Sequence, residues 1–228
     1  MRGETGRMLK RLLIAVVFSI AFGYIESAVV VYLRALFHPN GFTFPMEVFG
    51  ATPESNRLVL TEVGREAATL VLIFTAAWLF GNVRQQRIAY FLIIFSIWDI
   101  FYYVWLKVLL DWPASLLDWD ILFLIPMVWA APVLYPVLVS AAMFAFAVAI
   151  LYRCAHRRPL TVTYTDWLGW SASLLILVIS FCLGGTYITE PNYADYFHGP
   201  LFGVGFALGV VICAKSLRGR GLELVAAA

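Results

Sequence analysis

Apolar residues dominate six stretches of this chain, at about Leu12–Phe37, Leu58–Phe80, Ile88–Leu110, Pro132–Tyr152, Trp167–Ile188 and Phe197–Leu217. Each holds about 20 or more mostly apolar positions, the length a helix needs to cross the hydrocarbon core of a bilayer. The pattern predicts an all-α polytopic membrane protein of six transmembrane helices, with residues 1–228 forming a single integral membrane domain. The first stretch follows a basic leader and could imitate a signal peptide. It continues to Phe37, however, so a retained helix is expected.

The pattern breaks between the third and fourth spans. Pro113, Pro126, Pro132 and Pro136 exclude one straight helix there. Ser115 followed by Asp118 has the spacing of a capping box, which predicts a short helix over Ser115–Ile125 that Pro126 ends or kinks. Such a helix cannot cross the bilayer, so the segment is expected to lie interfacially or re-enter. The loop His38–Arg57 is long, and Phe42, Phe44 and Phe49 suggest that it folds over the outer face. Thr52-Pro53-Glu54-Ser55 reads as the start signal of the second helix.

Composition agrees with the pattern. The chain is 62% hydrophobic and only 13% charged, against about 25% charged in soluble domains. A net charge of +2 gives no footing for nucleic acid. Basic residues gather on alternate connections: Arg2, Arg7, Lys10 and Arg11; Arg84 and Arg87; Arg153, Arg157 and Arg158; Lys215, Arg218 and Arg220. The other side carries Glu47, Glu54, Arg57, Asp111, Glu190 and Asp195. The positive-inside rule then places both termini in the cytoplasm, with the plasma membrane as the expected location.

Candidate chemistry lies in the charges that remain inside the spans. An ionisable group at the bilayer centre costs about 2.5–3.5 kcal/mol on insertion scales, so it marks a functional site by default. The first helix carries Glu26 and Arg34, the second Glu62, Arg65 and Glu66, and the third Asp99, Tyr103 and Lys107. Residues three or four apart share a helix face, so Glu62, Arg65 and Glu66 project together, as do Asp99 and Tyr103. With alternating helices, Glu26 and Asp99 come to mid-membrane, Glu62 and Glu66 lie outward of centre, and Arg34, Lys107, Asp118 and Asp120 approach the outer surface. A polar cavity open to the outer face is expected, lined by Glu26, Glu62, Arg65, Glu66 and Asp99. The covering segment would present Asp118 and Asp120. Structural ion pairs, such as Glu62 with Arg65 or Asp99 with Lys107, and snorkelling of Arg34 and Lys107 are the bland alternatives.

Other signals are weaker. Trp98, Trp105, Trp112, Trp119 and Trp129 are expected to form an aromatic belt, with an aromatic-walled cavity for a cation or a planar ligand as the alternative. Gly203, Gly205 and Gly209 suggest close helix packing. Trp98-Asp99-Ile100 and Trp119-Asp120-Ile121 are the one hint of repetition, and no inverted repeat of the transporter kind is visible. Cys154, Cys182 and Cys213 have no metal or disulfide spacing. No nucleotide-binding or hydrolase motif appears, and the cofactor is left unknown, with b-type haem disfavoured by the placing of His38, His156 and His198. A metal held by Glu62 and Glu66 with His198 is chemically possible, but the E-x-x-H spacing of carboxylate di-metal bundles is missing.

These observations favour binding or transport of a small, cationic solute coupled to protons, because carboxylates outnumber bases in the deep cluster. A membrane enzyme acting on a lipid-like substrate, with carboxylates as acid and base or as metal ligands, is the alternative. A structural subunit of a larger membrane complex, or an oligomer, is the third.

Overall fold

The computed structural model describes residues 2–39, 41–46 and 53–218. Glu47, Phe49, Thr52 and Arg220 lie outside the described residues, as do the side chains of Arg2 and Glu54. Six helices long and apolar enough to cross a membrane occur among the described residues: α1 Arg2–Phe37, α2 Pro53–Phe80, α3 Arg84–Leu110, α4 Leu134–Ala155, α5 Tyr164–Thr186 and α6 Gly199–Arg218. The chain is a six-helix α-helical membrane protein.

Helix ends meet at two poles. At one, Arg11 donates to the Phe80 carbonyl, Gln85 bonds to Leu160, Arg153 donates to the Leu217 carbonyl, and Lys215 pairs with Asp166 at 2.8 Å. This basic end gathers the start of α1, the α2–α3 and α4–α5 turns, and the end of α6. Thr163 opens α5 with a capping box closed by Asp166, which satisfies two backbone donors at once.

Helix α3 is the hub and packs on α1, α2 and α4, whereas α5 and α6 form a separate pair. Ala15, Ser19, Gly23 and Ser27 put small residues on one stripe of α1 at four-residue spacing. A Cβ on Gly23 would come within 3.1 Å of the Trp98 carbonyl, and Ser27 Oγ donates across to the Tyr102 carbonyl at 3.0 Å. Close backbone approach of this kind substitutes, in lipid, for the hydrophobic drive that water would supply. On α6, Gly205 and Gly209 receive side chains of α5, but Gly203 faces open space.

The core is divided lengthwise. Toward the basic end it is apolar, built from Ile73, Ala77, Ile93, Ile94, Ile150 and Leu151 with Ala15 of α1. Toward the opposite pole buried charged residues (Glu26, Arg34, Glu66 and Asp120) lie beside two smaller apolar clusters, one of Ala131, Leu177, Phe181 and Phe202 and one of Met46, Ala130 and Ile188. Leu13, Val17, Leu79, Leu174 and Val211 are largely exposed on the outside, an inverted surface that suits lipid rather than water.

The expected short helix before α4 is not formed. Ser115 and Asp118 do make the capping contacts, with Asp118 accepting from the Ala114 and Ser115 amides, but only a single turn is built on them. The chain then enters a β-hairpin, β1 Trp119–Phe123 antiparallel to β2 Trp129–Pro132. Local capping cannot propagate a helix here because β1 finds a better partner: Asp120 pairs with Ala131 and Ile121 with Ala130 in register. Non-helical backbone is tolerated within a membrane protein only where the protein satisfies it. The Leu124 amide donates to the Glu66 carboxylate at 2.9 Å, and Val133 and Leu134 amides donate to the carbonyls of Asp118 and Leu116. Strand β2 lies against α5 at Gly184 and Gly185, where added Cβ atoms would overlap the carbonyl oxygens of Ala130 and Val128. The hairpin thereby joins the α5–α6 pair to the rest of the bundle.

Candidate functional site

The charged residues of α1, α2 and α3 converge beneath this hairpin. Glu26, Arg65, Glu66, Asp99, Tyr103 and Thr69 line a cavity of about 50 Å³, with Ile121, Leu122 and Phe123 of β1 across it. That volume holds a few water molecules or one small ion, since a single water needs about 10–15 Å³ on the same measure. It is far below the roughly 300–1,000 Å³ of organic-ligand pockets.

Arg65 is the pivot. Its guanidinium is hydrogen-bonded to Glu62 one turn earlier on α2 and, across the helix interface, to Glu26 of α1. The planar fork of five donors is what lets one cation serve two carboxylates. Glu66, one residue further, turns away from Arg65 to the Leu124 amide.

A second pair lies nearer the hairpin pole. Arg34 Nη2 meets Asp120 Oδ1 at 3.2 Å, and Tyr102 donates to Asp120 Oδ2 at 3.3 Å. The Arg34 guanidinium sits in the corner between the rings of Phe42 and Trp112, at 3.9 and 3.8 Å from their centroids, the two rings standing at 87° to each other. Only 8% of Arg34 and 2% of Asp120 remain exposed. Arg34 therefore does not snorkel to headgroups. The first loop supplies one face of its cage, with Phe42 packed edge-on to Phe44 and Trp112.

Asp99 pairs with no cation among the described residues. Its carboxylate accepts from Ser140 of α4 at 2.7 Å. Lys107 turns outward instead, pairing with Asp111 at 2.7 Å, and its hydrogen bond and charge hold the exposed Asp111 carboxyl below the usual carboxylate range. Lys107 is thus remote from the cavity, and an Asp99–Lys107 pair is not formed. His198 lies just before α6 and does not line the cavity either. Among the described residues no three histidine, cysteine or acidic side chains converge as metal ligands, so Glu62, Glu66 and His198 do not assemble.

The tryptophans turn inward rather than forming a belt. Trp98 is 5% exposed and lines the cavity. Trp105 donates to the Ile20 carbonyl, Trp112 stacks on Arg34, Trp119 packs edge-on to Tyr193, and Trp129 stacks on Phe181. Trp98 is buried, whereas Trp105, Trp112, Trp119 and Trp129 are half-buried. Trp98 Nε1 has no acceptor among the described residues, which leaves a donor for water or a ligand oxygen.

Among the described residues, five carboxylates thus meet two guanidinium groups: Glu26 and Glu62 on Arg65, Asp120 on Arg34, and Glu66 and Asp99 on neutral donors. Sequence reasoning found the cluster but not the Arg34–Asp120 pair. The repeated Trp-Asp-Ile triplet was its one trace, since both aspartates end up in the interior here.

Fold and site together define a six-helix membrane protein with a hairpin-capped acidic cluster. Compared with known proteins, the chain matches no family model, no curated protein and no solved structure.

Proposed function

We propose that the protein is a membrane carrier that binds a small cation at the acidic cluster and exchanges it for protons. The observation that carries this reading is the charge imbalance among the described residues, five carboxylates to two guanidinium groups. An uncompensated carboxylate in a low-dielectric interior costs several kcal/mol, so the excess negative charge must be met by protons or by a bound cation. Asp99 and Glu66 are the two groups whose present partners are neutral, and they line the same cavity. Trp98, Tyr102 and Tyr103 add aromatic faces that attract a cation.

The cavity's size suits a proton or a small monovalent cation while the hairpin is seated. A larger ammonium would enter only with the hairpin displaced. Glu66 couples the two events: in accepting from Leu124 it latches the hairpin, and a proton on Glu66 weakens that latch. The described residues offer carboxylates without the imidazole or thiolate partners of a catalytic metal centre, which favours the carrier over a metal-dependent enzyme. The basic end then faces the cytoplasm of a plasma-membrane protein, as the positive-inside rule requires.

The test is proton flux in proteoliposomes under imposed gradients of sodium, potassium, methylammonium or tetramethylammonium. A gradient of at least one of them is expected to move protons in wild type. Asp99→Asn and Glu66→Gln should each remove that flux while the helical content stays unchanged. Absence of proton flux for every cation, or flux indifferent to both substitutions, would overturn the reading.

A further inference from the structure

A second cavity lies at the opposite pole, away from the acidic cluster. It has a volume of about 430 Å³, within the range of small-molecule sites, and lies between the start of α1, the α2–α3 turn and the end of α4. Arg7, Arg11 and Arg157 line it, with Asn82, Gln86 and Tyr90. No carboxylate among the described side chains does so, the reverse of the site under the hairpin.

The donors are arranged for an anion. Arg11 spends one N–H on the Phe80 carbonyl, at 3.4 Å, which leaves others of its five. Gln86 accepts from the Asn82 amide through Oε1, so its Nε2 remains to donate. Tyr90 is 1% exposed and borders this cavity. The end of α4 presents no row of bare carbonyls, because the amides of His156, Arg157 and Arg158 take up those of Tyr152, Arg153 and Cys154. The start of α3 contributes the positive end of a helix, with no side-chain cap at Val83.

We propose that this cavity binds a phosphate-bearing anion, held by the guanidinium groups of Arg7, Arg11 and Arg157 with Tyr90, Asn82 and Gln86 as further donors. Three cations with several hydrogen-bond donors, and no carboxylate among the described side chains that line the cavity, match a phosphate group, which offers several acceptor oxygens and negative charge. Basic pockets between helices at a membrane surface hold lipid headgroups by this chemistry, and a soluble phosphate ester presents the same group. The site does not depend on cation binding under the hairpin.

The experiment has two arms on the full-length protein. In one, native mass spectrometry reads the lipid retained after release from nanodiscs of phosphatidylglycerol or of a phosphate-free lipid. In the other, thermal unfolding in detergent is followed against inorganic phosphate and glycerol phosphate. Retained phosphatidylglycerol without a soluble-phosphate shift assigns a lipid headgroup, and a soluble-phosphate shift assigns a free phosphate ester. Either supports the proposal. Arg11→Gln/Arg157→Gln is expected to weaken the binding at least about tenfold, since two charge-assisted contacts are lost. Tyr90→Phe and Asn82→Ala, which leave the helix-end contact of Arg11 intact, should each weaken it several-fold and carry the test should the double variant not fold. Binding of neither source, or binding equal in wild type and every folded variant, would overturn it.

Discussion

Gly185→Val is expected to unseat the hairpin and lower the thermal stability of the protein more than any other single glycine change. A Cβ at position 185 would overlap the Val128 carbonyl oxygen and lie 2.5 Å from its carbon, a backbone against a backbone. No rotamer relieves such a clash, so either α5 or β2 must move. Overpacking of well-packed sites costs about 1–3 kcal/mol, and contacts with fixed backbone fall at or above the top of that range. Movement of β2 would also carry Ala130 and Ala131 out of the places they fill and withdraw Leu124 from Glu66. Gly203→Ala supplies the control, because a Cβ there meets nothing within 4 Å. Thermal unfolding of both variants in the same detergent checks the prediction. Equal midpoints would mean that β2 is not seated on α5.

Arg65→Leu has the second large effect, by a different mechanism. The substitution keeps an apolar side chain in the helix but leaves Glu26 and Glu62 facing each other without a cation. Breaking a buried pair by removing one partner costs about 3–5 kcal/mol, most of it the penalty of the stranded charge. The side chain of Arg65 is 22% exposed and that of Glu26 10%, so water relieves only part of this. Arg65→Lys should recover some stability but not all, because an ammonium lacks the fork that reaches both carboxylates. Arg65→Leu combined with Glu26→Gln and Glu62→Gln should recover more, since no charge is then stranded. Chemical or thermal denaturation of the four proteins decides it. A triple variant no more stable than Arg65→Leu would show that lost packing, rather than lost charge balance, sets the cost.

The helices were legible because lipid imposes a length and a polarity that any window of sequence reveals. The hairpin was not. Ser115 and Asp118 carry a true local signal and make its hydrogen bonds. The conformation beyond them is decided by the pairing of Trp119–Phe123 with Trp129–Pro132 and by a distant glycine pair on α5. Gly184-Gly185 and the Ala15-Ser19-Gly23-Ser27 stripe were visible as residues. Their packing partners were not, since small residues mark close approach without naming the element that approaches.

The acidic cluster divides in the same way. Glu62 with Arg65 comes from helical spacing, and the like depth of Glu26 comes from alternation. Which carboxylate each arginine takes is not set locally, because Arg65 reaches Glu26 and Arg34 reaches Asp120 only through tertiary packing. Lys107 shares the third helix with Asp99, but near the end of α3 it finds Asp111 one turn away and leaves the interior.

A carrier of the proposed kind balances the cluster's excess negative charge with exchangeable protons. Infrared spectroscopy of the protein in lipid at neutral pH tests this most directly, through the carbonyl stretch of protonated carboxyl groups. Wild type is expected to show such a band, weaker in Asp99→Asn and in Glu66→Gln, and diminished when the cation that drives proton flux is added. No protonated carboxyl band in wild type, with all five acids ionised and no cation retained, would contradict it.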